Sequence, residues 1–137
     1  MLSACSGAPA PGGTPSDDTI ALLLPDAKTA RYETFDRPMF EARVAELGDY
    51  DVLYANADQD AAKQQQQAES ALTAGAGVLV LDPVDANAAV SIVSSANAKG
   101  VPVISYDRLI AGGDLAYYIS FDNEKVGVLQ ALSLIHI

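Results

Sequence analysis

Short apolar runs alternate with longer segments of helical spacing along most of this chain. The apolar runs have the length and continuity of strands that are covered on both faces. They predict five strands: Thr19–Leu24, Asp51–Ala55, Val78–Leu81, Val101–Tyr106 and Tyr117–Phe121. The intervening segments predict three helices, over residues 35–47, 58–74 and 86–99, and a fourth begins near Asn123 with Asp122 as its cap. This alternation predicts a doubly wound α/β fold, in which helices cover both faces of a parallel sheet.

The first two helices each carry an apolar stripe that predicts which face packs against the sheet. The stripes are Phe40, Val44 and Leu47 in the first helix and Ala62, Ala68 and Leu72 in the second. Pro38 fits only near the start of the first helix, and Gly48 ends that helix. The run Gln64–Gln67 is predicted to be a solvated face of the second helix rather than a low-complexity segment.

Length and charge narrow the class of protein. The chain has 137 residues, and 50% of them are hydrophobic, which suits one domain with a packed core. Acidic residues outnumber basic ones 18 to 8, and the net charge is −10. The sequence contains no cluster of Lys and Arg that could bind along a phosphate backbone. We therefore expect no nucleic-acid partner. The apolar runs are far shorter than the roughly 20 residues that a membrane-spanning helix needs.

The sequence lacks the residues that several kinds of chemistry require. With Cys5 as the single cysteine and His136 as the single histidine, we expect no intrachain disulfide, metal cluster or Cys-His catalysis. Gly75 and Gly77 precede a predicted strand, whereas a phosphate-binding loop follows one, and no Gly-Lys-Ser/Thr sequence is present. There is also no Gly-x-Ser-x-Gly motif. The sequence therefore predicts neither an enzyme nor a cofactor.

The first residues resemble a bacterial lipobox. Residues 2–5 read LSAC, and the Gly/Ala/Pro/Ser-rich residues 6–16 lack the apolar content needed to fold. The resemblance implies that Cys5 becomes the lipid-modified first residue of a lipoprotein, with residues 1–18 as anchor remnant and linker. An export signal has a basic start and an apolar run, and here only Met1 precedes the motif. A misplaced start, a chance match and an incidental cysteine remain alternatives.

The residues after the strands matter most for function, because ligands of such sheets bind beyond the carboxyl ends of the strands. Asp107 and Arg108 follow the fourth predicted strand and offer a carboxylate and a guanidinium to sugar hydroxyls. Arg31 and Tyr32 lie in the loop after the first strand and offer a second guanidinium and a ring for stacking. Asn123 follows the fifth strand and offers an amide.

Each of these groups also has an ordinary structural interpretation. Asp107 and Arg108 could form a surface ion pair, or the carboxylate of Asp107 could cap a helix. Arg31 and Tyr32 could face solvent or pack over the sheet edge, and Asn123 could be a residue of the first helical turn. Position alone leaves these alternatives open.

Two stretches carry a family resemblance. Residues 103–110 (VISYDRLI) and 118–127 (YISFDNEKVG) resemble the periplasmic xylose-binding proteins of ABC transporters, within a group that includes ribose-binding proteins. This group shares its lobe fold with the effector domains of lactose-repressor-type regulators. The resemblance covers Thr19 to about Ala131. It implies that Asp107, Arg108 and Asn123 hydrogen-bond the sugar.

The Arg-aromatic pair of that family maps onto Arg31 and Tyr32, with Tyr32 where a tryptophan is expected. The resemblance implies a sugar-binding lobe over residues 19–131, a second lobe that this chain lacks, and feeble sugar binding by one lobe alone. Residues 132–137 (LSLIHI) break the pattern and suggest an artefactual tail, with an ordinary helix end as the alternative.

The implied function is the solute-binding component of a bacterial ABC sugar importer. It would bind a monosaccharide, with the pentose D-xylose favoured, close two lobes around it and deliver it to the permease. It would lie in the cell envelope, in the periplasm or lipid-anchored at the outer face of the cytoplasmic membrane.

A regulator's effector lobe is the first alternative, although it would need a basic helix-turn-helix segment. A sugar-modifying α/β enzyme is the second, although no general base with a partner is visible.

Overall fold

The computed structural model describes residues 16–135. Cys5 and residues 6–15 of its linker, together with His136, lie outside the described residues, whereas residues 16–18, predicted to be linker, belong to the first strand. The structure contains five strands: β1 Ser16–Leu24, β2 Asp51–Asn56, β3 Ala76–Leu81, β4 Val103–Tyr106 and β5 Tyr117–Ile119. All five are parallel and form one sheet in the order β2-β1-β3-β4-β5. The doubly wound α/β prediction is confirmed.

Helices connect most of these strands. They are a π-helical turn Tyr32–Asp36 and the α-helices α1 Arg37–Leu47, α2 Ala61–Thr73, α3 Ala89–Asn97 and α4 Asn123–Ile135. In α1 the proline falls at the start and Gly48 follows the last helical residue, as predicted. Asp60 caps α2 by accepting hydrogen bonds from two backbone N–H groups at 2.8 and 3.0 Å. Asp122 accepts the backbone N–H of Lys125 at 3.0 Å, so its predicted capping role is confirmed.

Alternating residues of the central strands separate two apolar clusters. Leu23, Leu79 and Leu81 belong to the larger cluster, which also contains the buried faces of α2 and α3. Leu22 and Val80 point the other way and join a smaller cluster with Phe40 of α1. The continuous apolar runs are thus explained by burial on both faces.

Side-chain burial corrects three predictions about the first two helices. Leu47 is the last residue of α1 and is 62% exposed, so it does not join the buried stripe. Ala62 is exposed as well, because it lies about 200° around α2 from the buried Gln64. Gln64 itself is 1% exposed, whereas its run was expected to be solvated. The buried face of α2 instead runs through Gln64, Ala68, Ala71 and Leu72.

The sheet reverses its direction of growth between β1 and β3. The first crossover places β2 on one side of β1, and the next places β3 on the other side. In open α/β sheets a crevice forms at such a switch point, outside the carboxyl ends of the strands.

Within residues 16–135, no helix is both long and apolar enough to cross a membrane.

Candidate functional site

Three aspartates stand at the carboxyl ends of the neighbouring strands β1, β3 and β4. Asp26 follows β1 and accepts hydrogen bonds from the backbone N–H and hydroxyl of Thr29 at 2.7 and 3.2 Å. Asp82 directly follows β3, and Asp107 directly follows β4. Because the strands are parallel and adjacent, their ends bring these carboxylates to one edge of the sheet.

Asp107 is the centre of the contacts at this edge. Its Oδ2 atom accepts a hydrogen bond from Arg31 Nη2 at 2.7 Å and another from the Tyr32 hydroxyl at 3.2 Å. The side chain of Arg31 is 33% exposed and that of Asp107 is 18% exposed, so this charged pair is partly open to solvent. A guanidinium and a carboxylate therefore stand together where hydroxyl groups of a ligand can reach them.

The backbone of Asp107 is held in an uncommon conformation. Its φ angle is 59°, in the left-handed region, which aspartate tolerates better than most residues. The Asp107 N–H donates to the carbonyl of Ile119 at 2.8 Å, and its carbonyl accepts from the hydroxyls of Tyr118 at 3.2 Å and Ser120 at 2.9 Å. Bonds from β5 and the residue that follows it thus fix the direction of the carboxylate.

The π-helical turn positions the residues that reach Asp107 from the β1 side. Arg31 precedes this turn, and its Nε atom also lies 3.0 Å from Asp36 Oδ2 at the end of the turn. Tyr32 is the first residue of the turn and is only 2% exposed. Burial and the nearby charge of Asp82 raise the pKa of Tyr32, so its hydroxyl remains a proton donor. Single π-helical turns are frequent at functional sites.

Arg108 is held from three directions. Its Nη1 atom donates to the carbonyl of Pro83 at 3.2 Å, and its Nη2 atom donates to the Tyr32 hydroxyl at 3.4 Å. Its Nε atom lies 3.7 Å from Asp82 Oδ1, and its side chain is 46% exposed. The guanidinium therefore bridges the strand ends while keeping donors toward solvent.

Asp82 lies beneath these residues and is fully buried. Burial raises its pKa to about 7, although Tyr32 and the charge of Arg108 oppose that shift. Buried Gln64 fixes the backbone here, donating to the Asp82 carbonyl at 2.8 Å and accepting the N–H of Val84 at 2.9 Å.

A separate polar network continues the edge toward β2. Glu33, in the π-helical turn, accepts hydrogen bonds from the Tyr54 hydroxyl and, at 3.2 Å, from Asn56 Nδ2. The guanidinium carbon of Arg37 lies 3.8 Å from the centre of the Tyr54 ring. The π-helical turn is therefore bonded to the ends of both β2 and β4.

The structure brings together four of the five residues predicted to bind a ligand. We call Arg31, Tyr32, Asp82, Asp107 and Arg108 the strand-end cluster. Two of its members, Arg31 and Tyr32, lie on helical turns rather than in a loop. The ring of Tyr32 is buried, whereas an open stacking surface was expected.

Asn123 begins α4 and is exposed. None of the contacts described for residues 16–135 joins its side chain to the strand-end cluster. The nearby ring of Phe121 is 55% exposed, and its centre lies 5.2 Å from the guanidinium carbon of Arg31. Phe121 therefore supplies the open aromatic surface that Tyr32 does not.

Sequence reasoning missed Asp82 and Phe121 as site residues. The strand-end rule that selected Asp107 applies equally to Asp82, which follows the apolar run VLVL. Phe121 was predicted to be part of the last strand, but β5 ends at Ile119. Phe121 is exposed, as are the residues of β5 itself, and the apolar run YYISF does not reveal this exposure.

Comparison with known proteins identifies the fold family. A family model described as "Periplasmic binding protein domain" matches residues 20–136. The D-xylose-binding periplasmic protein of Escherichia coli is 36% identical over 118 residues, which is 86% of this chain and 35% of that protein.

Solved structures agree with that match. A carbohydrate transporter solute-binding protein from Chloroflexus aurantiacus, in complex with D-glucose, superposes with a TM-score of 0.77 at 34% identity. That match covers 85% of this chain and 34% of the other. The Caulobacter myo-inositol binding protein, bound to myo-inositol, gives 0.75 at 27% identity, covering 89% and 42%.

The chain thus spans about a third of the length of the curated relatives it matches. The family model covers most of the chain, and the sheet order and the strand-end cluster agree with the doubly wound architecture. This chain therefore belongs to the periplasmic binding protein domain family.

Proposed function

We propose that this chain is the sugar-binding N-terminal lobe of the solute-binding protein of a bacterial ABC importer. The observation that carries the proposal is the strand-end cluster, where Arg31 and Asp107 form a partly open pair at 2.7 Å beside Arg108. A carboxylate that is paired with one guanidinium, with a second guanidinium on the next residue, can accept from one sugar hydroxyl while the guanidinium groups donate to others. This arrangement suits neutral molecules that carry several adjacent hydroxyl groups.

The exposed ring of Phe121 adds an apolar contact beside these polar groups. Sugar rings present C–H groups on one face, and such a face packs against an aromatic ring. Asn123, two residues further on, is proposed to supply an amide hydrogen bond at the same edge. Binding without catalysis is proposed, because the named relatives are binding proteins.

The ligand is proposed to be a monosaccharide, with D-xylose favoured. The Escherichia coli relative is named for D-xylose, whereas the two structural relatives hold D-glucose and myo-inositol. All three molecules are rings with several hydroxyl groups. The family resemblance of residues 103–110 and 118–127 is what favours the pentose.

Delivery is proposed to follow closure of this lobe and a second lobe over the sugar, which creates the shape that the permease recognises. The protein is proposed to act in the periplasm or tethered through Cys5 at the outer face of the membrane. Support for the tether is the LSAC sequence followed by a Gly/Ala/Pro/Ser-rich stretch. Cys5→Ala in the full-length gene should move the protein from the membrane fraction to the soluble fraction, and an unchanged distribution would contradict lipidation.

The experiment that tests sugar binding is calorimetric titration of the full-length gene product with D-xylose, D-ribose, D-glucose and myo-inositol. We expect a Kd of about 10 µM or tighter for D-xylose. Asp107→Asn should weaken binding by about tenfold or more, because it removes the charge that faces Arg31. Asp114→Asn is the matched control, since Asp114 is an exposed aspartate outside the cluster.

The outcomes separate the parts of the proposal. Absence of binding to every sugar would contradict a sugar-binding function. Tenfold tighter binding of D-glucose than of D-xylose would contradict the pentose assignment and leave sugar binding intact. Residues 1–137 alone should bind far more weakly than the full-length product, because closure needs contacts from both lobes; micromolar binding by this chain alone would contradict that expectation.

A further inference from the structure

Asp82 is a buried acid for which the proposed sugar contacts give no reason. It lies at the switch point of the sheet, directly after β3, and is 0% exposed. Within the described residues, neither of its carboxylate oxygens makes a hydrogen bond of normal geometry, although the Tyr32 hydroxyl and the Arg108 guanidinium lie near it. A buried acid without hydrogen bonds costs free energy, so such residues concentrate at functional sites.

Charged groups of the site face this carboxylate from two directions. From the β4–β5 connection come Arg108, with its Nε atom 3.7 Å from Asp82 Oδ1, and the carboxylate of Asp107. From the π-helical turn and the residue before it come Tyr32 and Arg31. The group that α2 contributes is neutral, because Gln64 bonds the Asp82 carbonyl through its amide.

We propose that Asp82 is a positioning residue of the sugar site, whose negative charge holds the Arg108 guanidinium in the orientation that sugar binding requires. This inference rests on the proposed function. Asp82 is too deeply buried to touch the sugar, so it acts through Arg108.

The contacts of Arg108 explain why a third anchor matters. Its two terminal nitrogens donate to Pro83 and Tyr32 at 3.2 and 3.4 Å, which are long hydrogen bonds. One N–H of each terminal nitrogen remains for a ligand. The attraction of Asp82 on the Nε side keeps the planar group from swinging into solvent, where its half-exposed side chain would otherwise have several conformations.

The charge of Asp82 changes within an accessible pH range. Burial raises its pKa to about 7, so most molecules carry the charge at pH 8 and few carry it at pH 6. Neutral sugars do not titrate in this range. Sugar affinity should therefore fall as the pH drops from 8 to 6.

The test uses the full-length gene product and its Asp82→Asn variant, which keeps the shape of the side chain and removes its charge. D-xylose and D-glucose are titrated at pH 8, 7 and 6, and Asp114→Asn serves as the control for one lost exposed charge. The Nε resonance of Arg108 is followed by NMR over the same range without sugar.

We expect wild-type affinity to fall about tenfold from pH 8 to pH 6, which is a free-energy change of about 1.4 kcal/mol. The Asp82→Asn variant should bind weakly and equally at all three pH values, and Asp114→Asn should follow the wild type. Wild-type affinity in Asp82→Asn at pH 8, or an unchanged pH profile in that variant, would overturn the inference.

The NMR measurement separates this inference from the proposed function. The Arg108 resonance should shift with a midpoint near pH 7 in the wild type and remain constant in Asp82→Asn. If no sugar binds while that shift is present, the proposed function fails and the link between Asp82 and Arg108 stands. If the resonance does not respond to pH, the inference fails whatever the sugar data show.

Discussion

Asp107 combines a side chain that is proposed to bind sugar with an unfavourable backbone conformation. A left-handed φ of 59° costs most non-glycine residues about 1–2 kcal/mol, and three bonds to its backbone groups offset that cost. The conformation turns the carboxylate toward Arg31. Backbone strain of this kind is typical of ligand-binding residues that surrounding structure holds in place.

The protonation state of Asp82 should also affect the stability of the protein. Its pKa is raised in the folded state from 3.8 to about 7, so between these values the folded chain binds more protons than the unfolded chain. Stability contributed by neutral Asp82 is therefore lost as the pH rises through this window.

We predict that Asp82→Asn increases the free energy of unfolding at pH 8 by on the order of 2 kcal/mol, because it removes a buried charge. The increase should shrink as the pH falls toward 4, where Asp82 is protonated. Urea denaturation of wild type and variant at pH 8, 6 and 4 measures it. A variant that is destabilised at pH 8 would show that the Asp82 charge is stabilising instead.

At the scale of elements, α2 does more than cover the sheet. Its buried Gln64 bonds the Asp82 carbonyl and the Val84 N–H, so the helix fixes the connection that leaves β3. Asp82, Pro83 and Arg108 all meet at this connection. The geometry of the site therefore depends on a helix that makes no proposed contact with sugar.

We predict that Gln64→Leu destabilises the chain by about 1–3 kcal/mol, because it leaves a buried carbonyl and a partly buried N–H without partners. Gln66→Leu is the matched control on the same helix, where the side chain is exposed, and should change stability by about 0.5 kcal/mol or less. Urea denaturation compares the two variants with the wild type. Equal effects would mean that replacing glutamine with leucine on this helix, and not the loss of the buried hydrogen bonds, destabilises the chain.

At the scale of the whole molecule, one end of the sheet carries exposed apolar surface. β5 is an edge strand, and Tyr117 and Ile119 within it are 69% and 52% exposed. In α4, Val128 and Leu129 are also more than half exposed. An unpaired strand edge next to apolar surface is a template for association.

We therefore predict that residues 1–137 alone associate as their concentration rises, despite the net charge of −10. Ile119→Lys should reduce this association by placing a charge on the edge strand. Light scattering with size-exclusion chromatography measures the mass of both forms, and circular dichroism confirms that the variant folds. A monomeric wild type at high concentration would contradict the prediction.

The sequence predicted the central elements well, because their apolar runs report burial on both faces. The first strand, predicted from Thr19, begins at Ser16, and the last, predicted to Phe121, ends at Ile119. The ends were less accurate because hydrogen bonds to neighbouring strands, rather than hydrophobicity, decide where a strand stops. The hydrophobic pattern also could not predict that Gln64 is buried, because the groups to which it hydrogen-bonds lie outside its own helix.

For the site, position in the sequence was enough to select Asp107, Arg108, Arg31 and Tyr32 as neighbours, because parallel strands bring their carboxyl ends to one edge. The different tasks of these residues depend on burial. Tyr32 is enclosed and bonds Asp107, while Phe121 presents the exposed ring. The ligand roles of Asp107, Arg108, Asn123, Arg31 and Tyr32 stay predictions for the titrations to decide.

The sequence by itself determined the alternation of strands and helices, the parallel sheet and the edge at which a ligand is proposed to bind, because these follow from local hydrophobic patterns and short connections. The tertiary structure decided which polar groups are buried and which are open. It placed Asp82 in the core beside Arg108, where a low-dielectric surrounding raises its pKa. Such an environment arises from α2, β3 and the β4–β5 connection together. The first two are consecutive in the chain, whereas the β4–β5 connection follows only after α3 and β4 and meets them in the folded chain.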